Sequence, residues 1–412
     1  MSELKNLLIL AEAIVRGENG KPYYERYRSE VERVTPEQVI SLVDELMKKG
    51  YPVEQMQEGV NKFLNLFHKA LDSHPVPQPE SGSFLDFLMQ SNQEMAQRLD
   101  RLKPLIRLIN GKLPDQDPDL PETINNMREI LEDLKTFERH YLIKENILFP
   151  AIEEHWPDYR CVQLMWAFHD DIRKNIREAI ETLQEEKINL PSLNYLFGSI
   201  FFNMLAIRFR EERILFPVML KTMPDSWMNR LLEEAGEIGF AYIKRLDMST
   251  INDNPKKPKS AKEDDSDISQ KETGTFQLPT GSFSEEEILV ILNTLPVDLT
   301  FVDRNDKVKY FSQGPHRIFT RSRSIIGRDV RLCHPPASVD IVERILEDFK
   351  SGRTSHAPFW IQMNGRFIYI EYYALRNEQG EYLGTLEVSQ DLTEYRKLEG
   401  EQRLLSYQEK QG

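Results

Sequence analysis

The feature that most constrains this chain is a phrase that its sequence contains twice. Residues 140–150 read His-Tyr-Leu-Ile-Lys-Glu-Asn-Ile-Leu-Phe-Pro, and residues 207–217 read Ile-Arg-Phe-Arg-Glu-Glu-Arg-Ile-Leu-Phe-Pro. Each copy has helical spacing and then Phe-Pro, so we predict that each helix ends there. His140 and Lys144 would share one helix face, because side chains four residues apart lie together. Ile207 and Glu211 would share another, and two such facing helices suit a metal site in a bundle.

The chain is long enough for several domains, and shifts in composition place their boundaries. A chain of 412 residues exceeds one ordinary hydrophobic core. Polar stretches rich in Pro, Ser, Lys and Asp separate the segments that have regular apolar spacing. The expected order is a helical N-terminal module at 1–73, a four-helix bundle at 84–248, a flexible linker at 249–280, an α+β domain at 281–395 and a C-terminal helix at 396–412.

Apolar residues recur every three to four positions through the bundle segment. Long helices are predicted at 84–109, 121–152, 159–186 and 192–220, with a shorter one at 224–246. Four long helices joined by turns favour an up-and-down bundle. In the N-terminal module, Thr35, Pro36 and Glu37 form a helix start signal, because Thr can cap, Pro suits the first position and Glu suits the positive end of the helix dipole.

After the linker, the pattern changes to short strands. Strands are predicted at 297–303, 307–311, 357–363, 366–375 and 382–390, with helices at 284–295, 339–350 and 393–408. Asn364-Gly365 and the stretch 377–380 have the turn chemistry of hairpins. These elements predict an α+β ligand-binding domain with a five-stranded antiparallel sheet and helices inserted between its second and third strands.

The net charge and the cysteine content limit the binding partners and the cellular compartment that we expect for the protein. A formal net charge of -14 opposes non-specific binding to nucleic acid or to an anionic membrane. No apolar stretch is expected to span a bilayer and the N-terminus lacks a signal-peptide layout, so a cytoplasmic location is expected. Cys161 and Cys333 fall in separate predicted domains, which excludes a disulfide framework.

Polar side chains on three predicted helices could meet inside the bundle. His140 lies on the second helix, His169 on the third, and Glu211 with Glu212 on the fourth. Imidazole and carboxylate together suit iron, manganese or zinc, and a shared ion would explain polar groups at core positions. The alternative is that each histidine is a hydrogen-bonded core residue and that the glutamates are solvated.

Three stretches carry a resemblance to a known family. They are His-Tyr with Glu-Asn-Ile-Leu-Phe-Pro, the second copy Glu-Glu-Arg-Ile-Leu-Phe-Pro, and Met-Trp-Ala-Phe-His-Asp-Asp-Ile-Arg between them. They resemble the hemerythrin-like HHE cation-binding domain. More narrowly, the chain resembles a bacterial family filed as domain of unknown function 438, which joins a helical module, a hemerythrin-like bundle and a C-terminal PAS domain. The resemblance implies non-haem iron, as one or two ions, held by histidines and bridging carboxylates and used to sense or bind oxygen, nitric oxide or iron.

The resemblance assigns metal ligands position by position. The matched ligands are His140, His169 and Glu211. Lys144 stands where the pattern has a carboxylate, Ile207 where it has the last histidine, and Ser83 where it has the first-helix histidine. The substitute ligands are Glu145, Glu212 and His74. A lysine ammonium at a ligand position would repel a divalent metal ion unless it swings away or loses its proton.

The PAS domain implied by the resemblance offers a second candidate site. Cys333 and His334 come just before the helix predicted at 339–350, where a PAS domain opens its ligand pocket. Thiolate and imidazole are common axial ligands of haem, so haem is the alternative cofactor. The alternative is that Cys333 has no ligand and packs as a small hydrophobic residue.

Three functions from different classes follow. The first is a cytoplasmic sensor or signalling adaptor, in which the bundle and the PAS domain sense oxygen, nitric oxide, redox state or a small ligand and signal through an unidentified protein partner. The second is a metal-dependent oxidoreductase acting on oxygen, peroxide or nitric oxide, and the third is a metal-free scaffold. We recognise no catalytic, phosphate-binding or DNA-reading motif, so we expect a sensor rather than an enzyme. A homodimer could form through the PAS domain and the C-terminal helix.

Overall fold

The computed structural model describes residues 2–76, 78–111, 120–156, 161–185, 187–243, 275–315 and 317–401. These residues divide into two compact units, which lie mainly before and mainly after residue 259. The first unit is helical, and the second is built on an antiparallel sheet. The predicted fold class, a helical region followed by an α+β domain with a five-stranded sheet, is confirmed.

Five helices form the N-terminal region: α1 (Ser2–Val15), α2 (Lys21–Arg26), α3 (Arg28–Val31), α4 (Pro36–Met47) and α5 (Val53–Ser73). Helix α4 begins at the predicted start signal. The Thr35 hydroxyl accepts a hydrogen bond from the Gln38 backbone N–H at 3.3 Å, and the Gln38 side-chain oxygen accepts one from the Thr35 N–H at 3.0 Å. This reciprocal arrangement satisfies two donors that the start of a helix otherwise leaves unpaired.

The bundle contains four long helical segments. The first and third are α6 (Phe84–Gly111) and α10 (Cys161–Thr182). The second runs through α7 (Leu120–Lys135), α8 (Glu138–Ile143), a first π segment (Lys144–Leu148) and α9 (Phe149–His155). The fourth runs through α11 (Leu190–Arg210), a second π segment (Glu211–Leu215) and α12 (Phe216–Thr222), and α13 (Asp225–Ile238) follows. The predicted helices are present, but two of them end early: residues 183–185 and 239–243 were expected to be helical and are not. Residues 159–160, 186 and 244–246 lie outside the described residues.

The prediction that Phe-Pro ends each helix is wrong. In both copies a π segment precedes the Phe-Pro pair, and a further α-helix follows. The Phe149 N–H bonds to the Lys144 carbonyl, five residues back. The Phe216 N–H bonds to the Glu211 carbonyl in the same way. The α-helical ladder therefore restarts at each phenylalanine, and each proline lies in a first helical turn, where no intrahelical bond needs its missing N–H.

Two apolar clusters hold the first unit together. The larger cluster joins the N-terminal helices to the bundle, so these parts share one core. The smaller cluster surrounds the π segments and includes Phe149 and Phe216, both completely buried. Burying such a ring contributes roughly 1.5–3 kcal/mol relative to leaving it in water. The phenylalanine of each Phe-Pro pair therefore anchors its π segment in the core.

One described helical stretch, Leu190–Thr222, has the length and apolar composition that a membrane span requires. A core helix of a globular protein can have the same length and composition. This stretch is the fourth helical segment of the bundle, and Arg210 and Glu211 within it are buried in the first unit.

From residue 275 onward, the chain follows the predicted strand order closely. Its elements there are a hairpin of β1 (Thr275–Leu278) and β2 (Gly281–Ser284), α14 (Glu285–Thr294), β3 (Asp298–Asp303), β4 (Val308–Phe311), 3-10 turns at Arg323–Ile325 and Val330–Cys333, α15 (Pro336–Ser351), β5 (His356–Met363), β6 (Arg366–Arg376) and β7 (Tyr382–Asp391). All of these strands belong to the second unit, whereas Ser322–Ile325 and Leu332–Val339 group with the first. The five-stranded sheet has the order β4-β3-β7-β6-β5 and is antiparallel throughout. Asn364 and Gly365 both have positive φ, at 52° and 74°, which is the backbone of a tight hairpin turn.

Two predictions at the edges of this unit need correction. Residues 275–280 were expected to belong to the linker, but Thr275–Leu278 pairs with Gly281–Ser284 as a hairpin. Residues 249–274 lie outside the described residues. The helix expected from Thr393 is replaced by a 3-10 turn at Tyr395–Lys397, and residues 398–401 are not helical. Residues 402–412, the rest of the predicted C-terminal helix, also lie outside the described residues.

Candidate functional site

The two π segments meet at a buried cluster that we call the lysine network. It consists of Lys144 from the first π segment, Glu211 from the second, His140 from α8 and Asn92 from α6, and all four side chains are completely buried. The Lys144 ammonium donates a hydrogen bond to Glu211 Oε1. Glu211 Oε2 accepts from the Asn92 amide at 2.8 Å and lies 3.1 Å from His140 Nε2. Both oxygens of this carboxylate are therefore already bonded to protein donors.

The charges of the lysine network favour an ionised pair. Burial alone would raise the pKa of Glu211, but the charges and hydrogen bonds of Lys144 and His140 outweigh it and lower that pKa to about 2. Burial lowers the pKa of Lys144, while Glu211 opposes the shift. The carboxylate thus stays ionised at neutral pH, and the ammonium is its counter-ion.

His140 is a neutral hydrogen-bond donor in this network. Burial lowers the pKa of His140, and the charge of Glu211 only partly opposes this. Because a carboxylate can only accept, the Nε2 atom carries the ring proton. The other ring nitrogen, Nδ1, is buried with no hydrogen-bond partner among the described residues. The ring stacks on Phe137 at 4.5 Å, which fixes its orientation.

A second cluster, which we call the arginine network, lies beside the first. His169 Nδ1, on α10, lies 2.7 Å from Glu145 Oε1. Arg173, four residues after His169, donates to both oxygens of Glu145 at 2.9 Å and to both oxygens of Glu138 at 2.9 and 3.0 Å. Burial would lower the pKa of Arg173, but Glu145 and Glu138 outweigh it and raise that pKa. Arg173 also donates to Asp170 Oδ1 at 2.9 Å, so the guanidinium is a permanent cation among three carboxylates.

Glu145 and His169 respond to burial in opposite directions. Burial raises the pKa of Glu145 to about 7, although the charge and hydrogen bonds of Arg173 act against this. Burial lowers the pKa of His169 well below its usual value, and the nearby charge of Lys144 adds to the effect. His169 is thus neutral, and its Nε2 atom has no hydrogen-bond partner among the described residues.

Tyr141 links the two networks. Its ring stacks on the His169 imidazole with centroids 4.3 Å apart. The Lys144 ammonium lies 5.1 Å from the same ring centroid and the Arg173 guanidinium 5.5 Å from it. One aromatic ring therefore contacts the cation of each network, within the range of a cation–π interaction.

The structure brings together four of the six predicted metal residues and leaves two apart. The four are His140, Glu211, Glu145 and His169. Glu212 instead bonds to Arg208 at 3.0 Å and is not fully buried. His74 caps the end of α5 and its Nε2 lies 3.1 Å from the Val34 carbonyl oxygen.

Sequence reasoning missed three members of these networks: Asn92, Arg173 and Glu138. Asn92, rather than the aligned Ser83, is the α6 residue that reaches Glu211. The signal was its place in the apolar stripe of α6, four residues after Leu88 and three before Met95, both buried. Arg173 could have been found from its position one helical turn after His169.

Comparisons with known proteins identify both parts of the chain. Residues 83–206 match the family model described as hemerythrin HHE cation binding domain. Residues 288–393 match the family model of a PAS domain. The chain contains a hemerythrin domain and a PAS domain. The narrower resemblance, to the family filed as domain of unknown function 438, is not confirmed by these matches, and no curated protein matches the chain significantly.

Solved structures similar to this chain align with about a quarter to a third of it. A C-terminal domain from Streptococcus mutans is 33% identical, over 31% of this chain and 98% of that one, with a TM-score of 0.30. A PAS domain from Colwellia psychrerythraea is 14% identical, over 26% and 97%, with a TM-score of 0.22. A sensory box sensor histidine kinase from Vibrio cholerae is 15% identical, over 26% and 89%, with a TM-score of 0.21. At these TM-scores the likenesses carry no argument.

The hemerythrin family is a cation-binding family, yet the networks of this chain do not fit a pair of metal ions. Both oxygens of Glu211 and both oxygens of Glu145 are bonded to side-chain donors. An ammonium lies against Glu211, and its charge would repel a divalent ion at contact distance. Ile207, which stands at the last histidine position, offers no lone pair and is buried. Within the described parts of the chain, no group of three or more His, Cys, Asp or Glu side chains is arranged to hold a metal.

The predicted haem ligands lie between strands β4 and β5 in the sequence. Cys333 ends the 3-10 turn Val330–Cys333, His334 follows it, and both are half-buried. Their role as ligands stays a prediction. The presence of a hemerythrin domain and a PAS domain in one chain supports a sensory role.

Proposed function

We propose that this chain is a sensory or signalling adaptor whose hemerythrin bundle is held by two side-chain cations in place of a metal pair. Its PAS domain would bind a small ligand, and the chain would signal through a protein partner. One observation carries the proposal: the Lys144 ammonium bonds to the buried Glu211 carboxylate that the family pattern assigns to metal. The proposal keeps the cytoplasmic location expected from the sequence and includes no catalytic step.

The balance of charge supports the exchange of metal for side chains. The two buried carboxylates, Glu211 and Glu145, are each bonded to one cation, Lys144 and Arg173 respectively. The other carboxylates bonded to Arg173, Glu138 and Asp170, are 40% and 38% exposed, so water solvates them. The buried charges are therefore compensated without an added ion. A metal ion would have to displace the ammonium and break the carboxylate's bonds to Asn92 and His140. The bundle would then serve as a stable scaffold for transmitting a state rather than as a redox centre.

A polar strip on the sheet supports a polar ligand in the PAS domain. Asp298 and Ser389 are directly paired across β3 and β7, and Thr300 is paired with Glu387, so these four side chains share one face. Asp298, Thr300 and Ser389 are buried. Arg317 reaches this face, with its Nη2 atom 3.5 Å from the Thr300 hydroxyl. A face with carboxylates, hydroxyls and a guanidinium favours a hydrogen-bonding ligand over an apolar one.

A second candidate function, a single-iron sensor of oxygen or nitric oxide, is favoured by the two histidines. His169 Nε2 and His140 Nδ1 are buried and have no hydrogen-bond partner among the described residues. A free imidazole nitrogen is a typical iron ligand. The alternative of a metal-dependent oxidoreductase requires complete ligand sets for two metal ions, because turnover at a two-metal centre needs both ions bound.

The first test is the metal content of the full-length protein, purified without an affinity tag, by elemental analysis beside a visible absorption spectrum. We expect well below one metal ion per chain and no oxo-bridge band in the near ultraviolet. About two irons per chain, the stoichiometry of a carboxylate-bridged centre, would overturn the proposal. About one iron per chain would support the single-iron sensor instead.

A paired set of variants makes the test sharper. Lys144→Glu combined with Ile207→His places a carboxylate and an imidazole at the two positions where the family pattern has them. We expect this double variant to gain iron during reconstitution, whereas the matched Lys144→Met, which only removes the ammonium, should not gain it to the same extent. Equal iron in wild type, Lys144→Met and the double variant would contradict the idea that Lys144 and Ile207 exclude the metal.

A further inference from the structure

Arg210 is a buried cation with no acidic partner in the described structure. It is 8% exposed and forms the last residue of α11, next to the N-terminal helices. Its Nη2 atom donates a hydrogen bond to the Asn61 side-chain oxygen on α5. Its Nε and Nη1 atoms are buried and have no hydrogen-bond partner among the described residues. None of the ion pairs between described residues includes Arg210.

The aromatic contact of Arg210 does not satisfy these donors. The guanidinium lies over the Phe168 ring, 4.1 Å from its centroid. A stacked guanidinium uses its flat face for this contact, whereas its five N–H bonds point outward in its plane. The in-plane donors at Nε and Nη1 thus still need acceptors, and an unpaired buried charge is costly. An acceptor that carries negative charge would compensate this cation.

Two concave spaces meet at Arg210. The inner one is a cavity of about 60 Å³ between the N-terminal helices and the bundle, lined by Arg210 and otherwise by apolar side chains such as Val43, Leu64 and Phe168. The outer one is a surface groove of about 370 Å³ between α5 and α11, which Arg210 and Leu64 also line. That volume falls within the range of small-molecule sites.

The groove is apolar but has a polar edge. Phe202 is 45% exposed and Leu205 is 39% exposed, both within this groove on α11. Phe209 lines the groove as well, and the His68 ring stacks on it with centroids 4.6 Å apart. Asn61 brings an amide to the same space, next to the guanidinium. One end of the groove therefore offers cationic and amide donors, and the remainder offers apolar and aromatic walls.

We propose that the groove between α5 and α11 binds a small monocarboxylate with an apolar chain, whose carboxylate lies at the Arg210 and Asn61 end as counter-ion to the guanidinium and whose chain lies along Phe202, Leu205 and Phe209. One carboxylate matches the single unpaired positive charge. A phosphate dianion would bring surplus charge into a largely apolar space, where desolvation opposes it. A neutral alcohol would leave the guanidinium without a counter-charge.

The site would also connect two parts of the first unit. Asn61 belongs to the N-terminal region and Arg210 directly precedes the second π segment. A carboxylate bonded to Arg210 would therefore hold α5 against the end of α11, one residue away from Glu211. Ligand binding here would stabilise the contact between the N-terminal region and the bundle, whatever the metal content of the buried networks.

The test uses hexanoate as the probe, with hexan-1-ol and acetate as matched controls, titrated calorimetrically into the full-length protein. Hexanoate has both the charge and the chain, hexan-1-ol has only the chain, and acetate has only the charge. We expect hexanoate to bind wild type and the two controls to bind far more weakly. Arg210→Met keeps the bulk of the side chain and removes the charge, and it should weaken hexanoate binding roughly tenfold or more.

Two further variants keep the test decisive. Arg177→Met, at an exposed arginine of α10, should bind hexanoate like wild type. Phe202→Ser changes an exposed groove residue that the fold does not need, and it should weaken hexanoate binding even where Arg210→Met fails to fold. Three results would overturn the proposal. They are equal binding of hexanoate and hexan-1-ol, hexanoate binding that neither Arg210→Met nor Phe202→Ser weakens, and no binding of hexanoate to wild type.

Discussion

The two copies of the repeated phrase have the same backbone and opposite chemistry. Each forms a π segment followed by a buried phenylalanine and a proline in a first helical turn. The first copy brings the cation Lys144 into the core, whereas the second brings the anion Glu211. Four residues before Glu211 stands Ile207, an apolar side chain, and four residues before Lys144 stands His140.

This difference shows which part of the repeat sets the fold and which part sets the chemistry. The apolar residues and the Phe-Pro pair fix the backbone, because both copies keep them and both show the same change from π to α. The polar positions then decide whether the space between the copies suits a metal ion or an ion pair. On our proposal, Lys144 turns a ligand position of the family pattern into a counter-ion for Glu211.

The largest effect is expected from removing the cation of the first copy. Lys144→Met leaves Glu211 buried without its counter-ion, and removing one partner of a buried pair typically costs about 3–5 kcal/mol. We expect a loss of this size in the free energy of unfolding, measured by urea denaturation of the full-length protein. Lys174→Met, at an exposed lysine of α10, is the matched control and should have little effect.

The double variant Lys144→Met with Glu211→Gln tests the pairing itself. Removing both charges should recover much of the loss, since no unpaired ion remains, so the two substitutions should not be additive. Losses that simply add would mean that Lys144 and Glu211 stabilise the core independently, and the comparison between the copies would fail.

The second prediction is that the two copies respond to pH in opposite directions. The pKa of Glu211 is about 2 in the folded chain, below its usual 4.5, so its contribution is complete above pH 4.5 and is lost as the pH falls toward 2. The pKa of Glu145 is about 7, above its usual 4.5, so its contribution is complete below pH 4.5 and is lost as the pH rises to 7. Each shift corresponds to about 3 kcal/mol across its range.

Urea denaturation at a series of pH values would measure the pH dependence of the free energy of unfolding. One variant for each copy separates the contribution of Glu145 from that of Glu211. Glu145→Gln should remove the fall in stability between pH 4.5 and 7 and leave the acid side unchanged. The double variant Lys144→Met with Glu211→Gln should remove the rise above pH 2 and leave the neutral side unchanged, because it also removes the buried lysine that would otherwise titrate without its counter-ion. If both variants altered the same part of the curve, the two carboxylates would titrate as one group.

The third prediction concerns Asn92, which supports only the second copy. Its amide donates to Glu211 Oε2 at 2.8 Å, and a hydrogen bond to a charged group contributes about 1.5–3 kcal/mol. Asn92→Leu removes this hydrogen bond, but it also removes the Asn92 Oδ1 atom, which is buried and makes no hydrogen bond with described residues. The second effect offsets part of the first, so we expect the free energy of unfolding to fall by about 2 kcal/mol. Thermal unfolding would measure the change, with Asn110→Leu near the exposed end of α6 as control. A loss as small in Asn92→Leu as in Asn110→Leu would contradict the role of the amide.

Sequence patterns predicted the strand positions of the sheet more accurately than the side-chain contacts of the buried networks. The strand bounds agree with prediction to within one residue, because alternation and hairpin turns such as Asn364-Gly365 act over a few neighbouring residues. The hairpin at Thr275–Leu278 was missed because a strand of four residues beside a polar stretch has little alternation to detect. The helix from Thr393 was predicted from three leucines, two of which lie outside the described residues.

The networks depended on contacts that no local pattern contains. Spacing placed His140, Lys144 and Glu211 on inward faces, and bulky apolar neighbours on the third predicted helix singled out His169. Asn92 meets Glu211 across 119 positions of sequence, so only the packed bundle shows the contact. The π segments were also hidden, because Phe-Pro usually marks the end of a helix, and tertiary packing of Phe149 and Phe216 overrides that local signal.

The smallest effect is expected at Glu212, the neighbour of Glu211 in the second copy. Glu212 bonds to Arg208 four residues earlier, in the same helical stretch, and the two side chains are 13% and 34% exposed, so water screens the pair in part. Such pairs contribute only about 0.3–0.5 kcal/mol. Glu212→Gln should therefore change the free energy of unfolding by less than about 0.5 kcal/mol, whereas Glu211→Gln changes it several-fold more. Comparable losses at the two positions would mean that Glu212 also belongs to the buried network, and that the second copy supplies two core carboxylates instead of one.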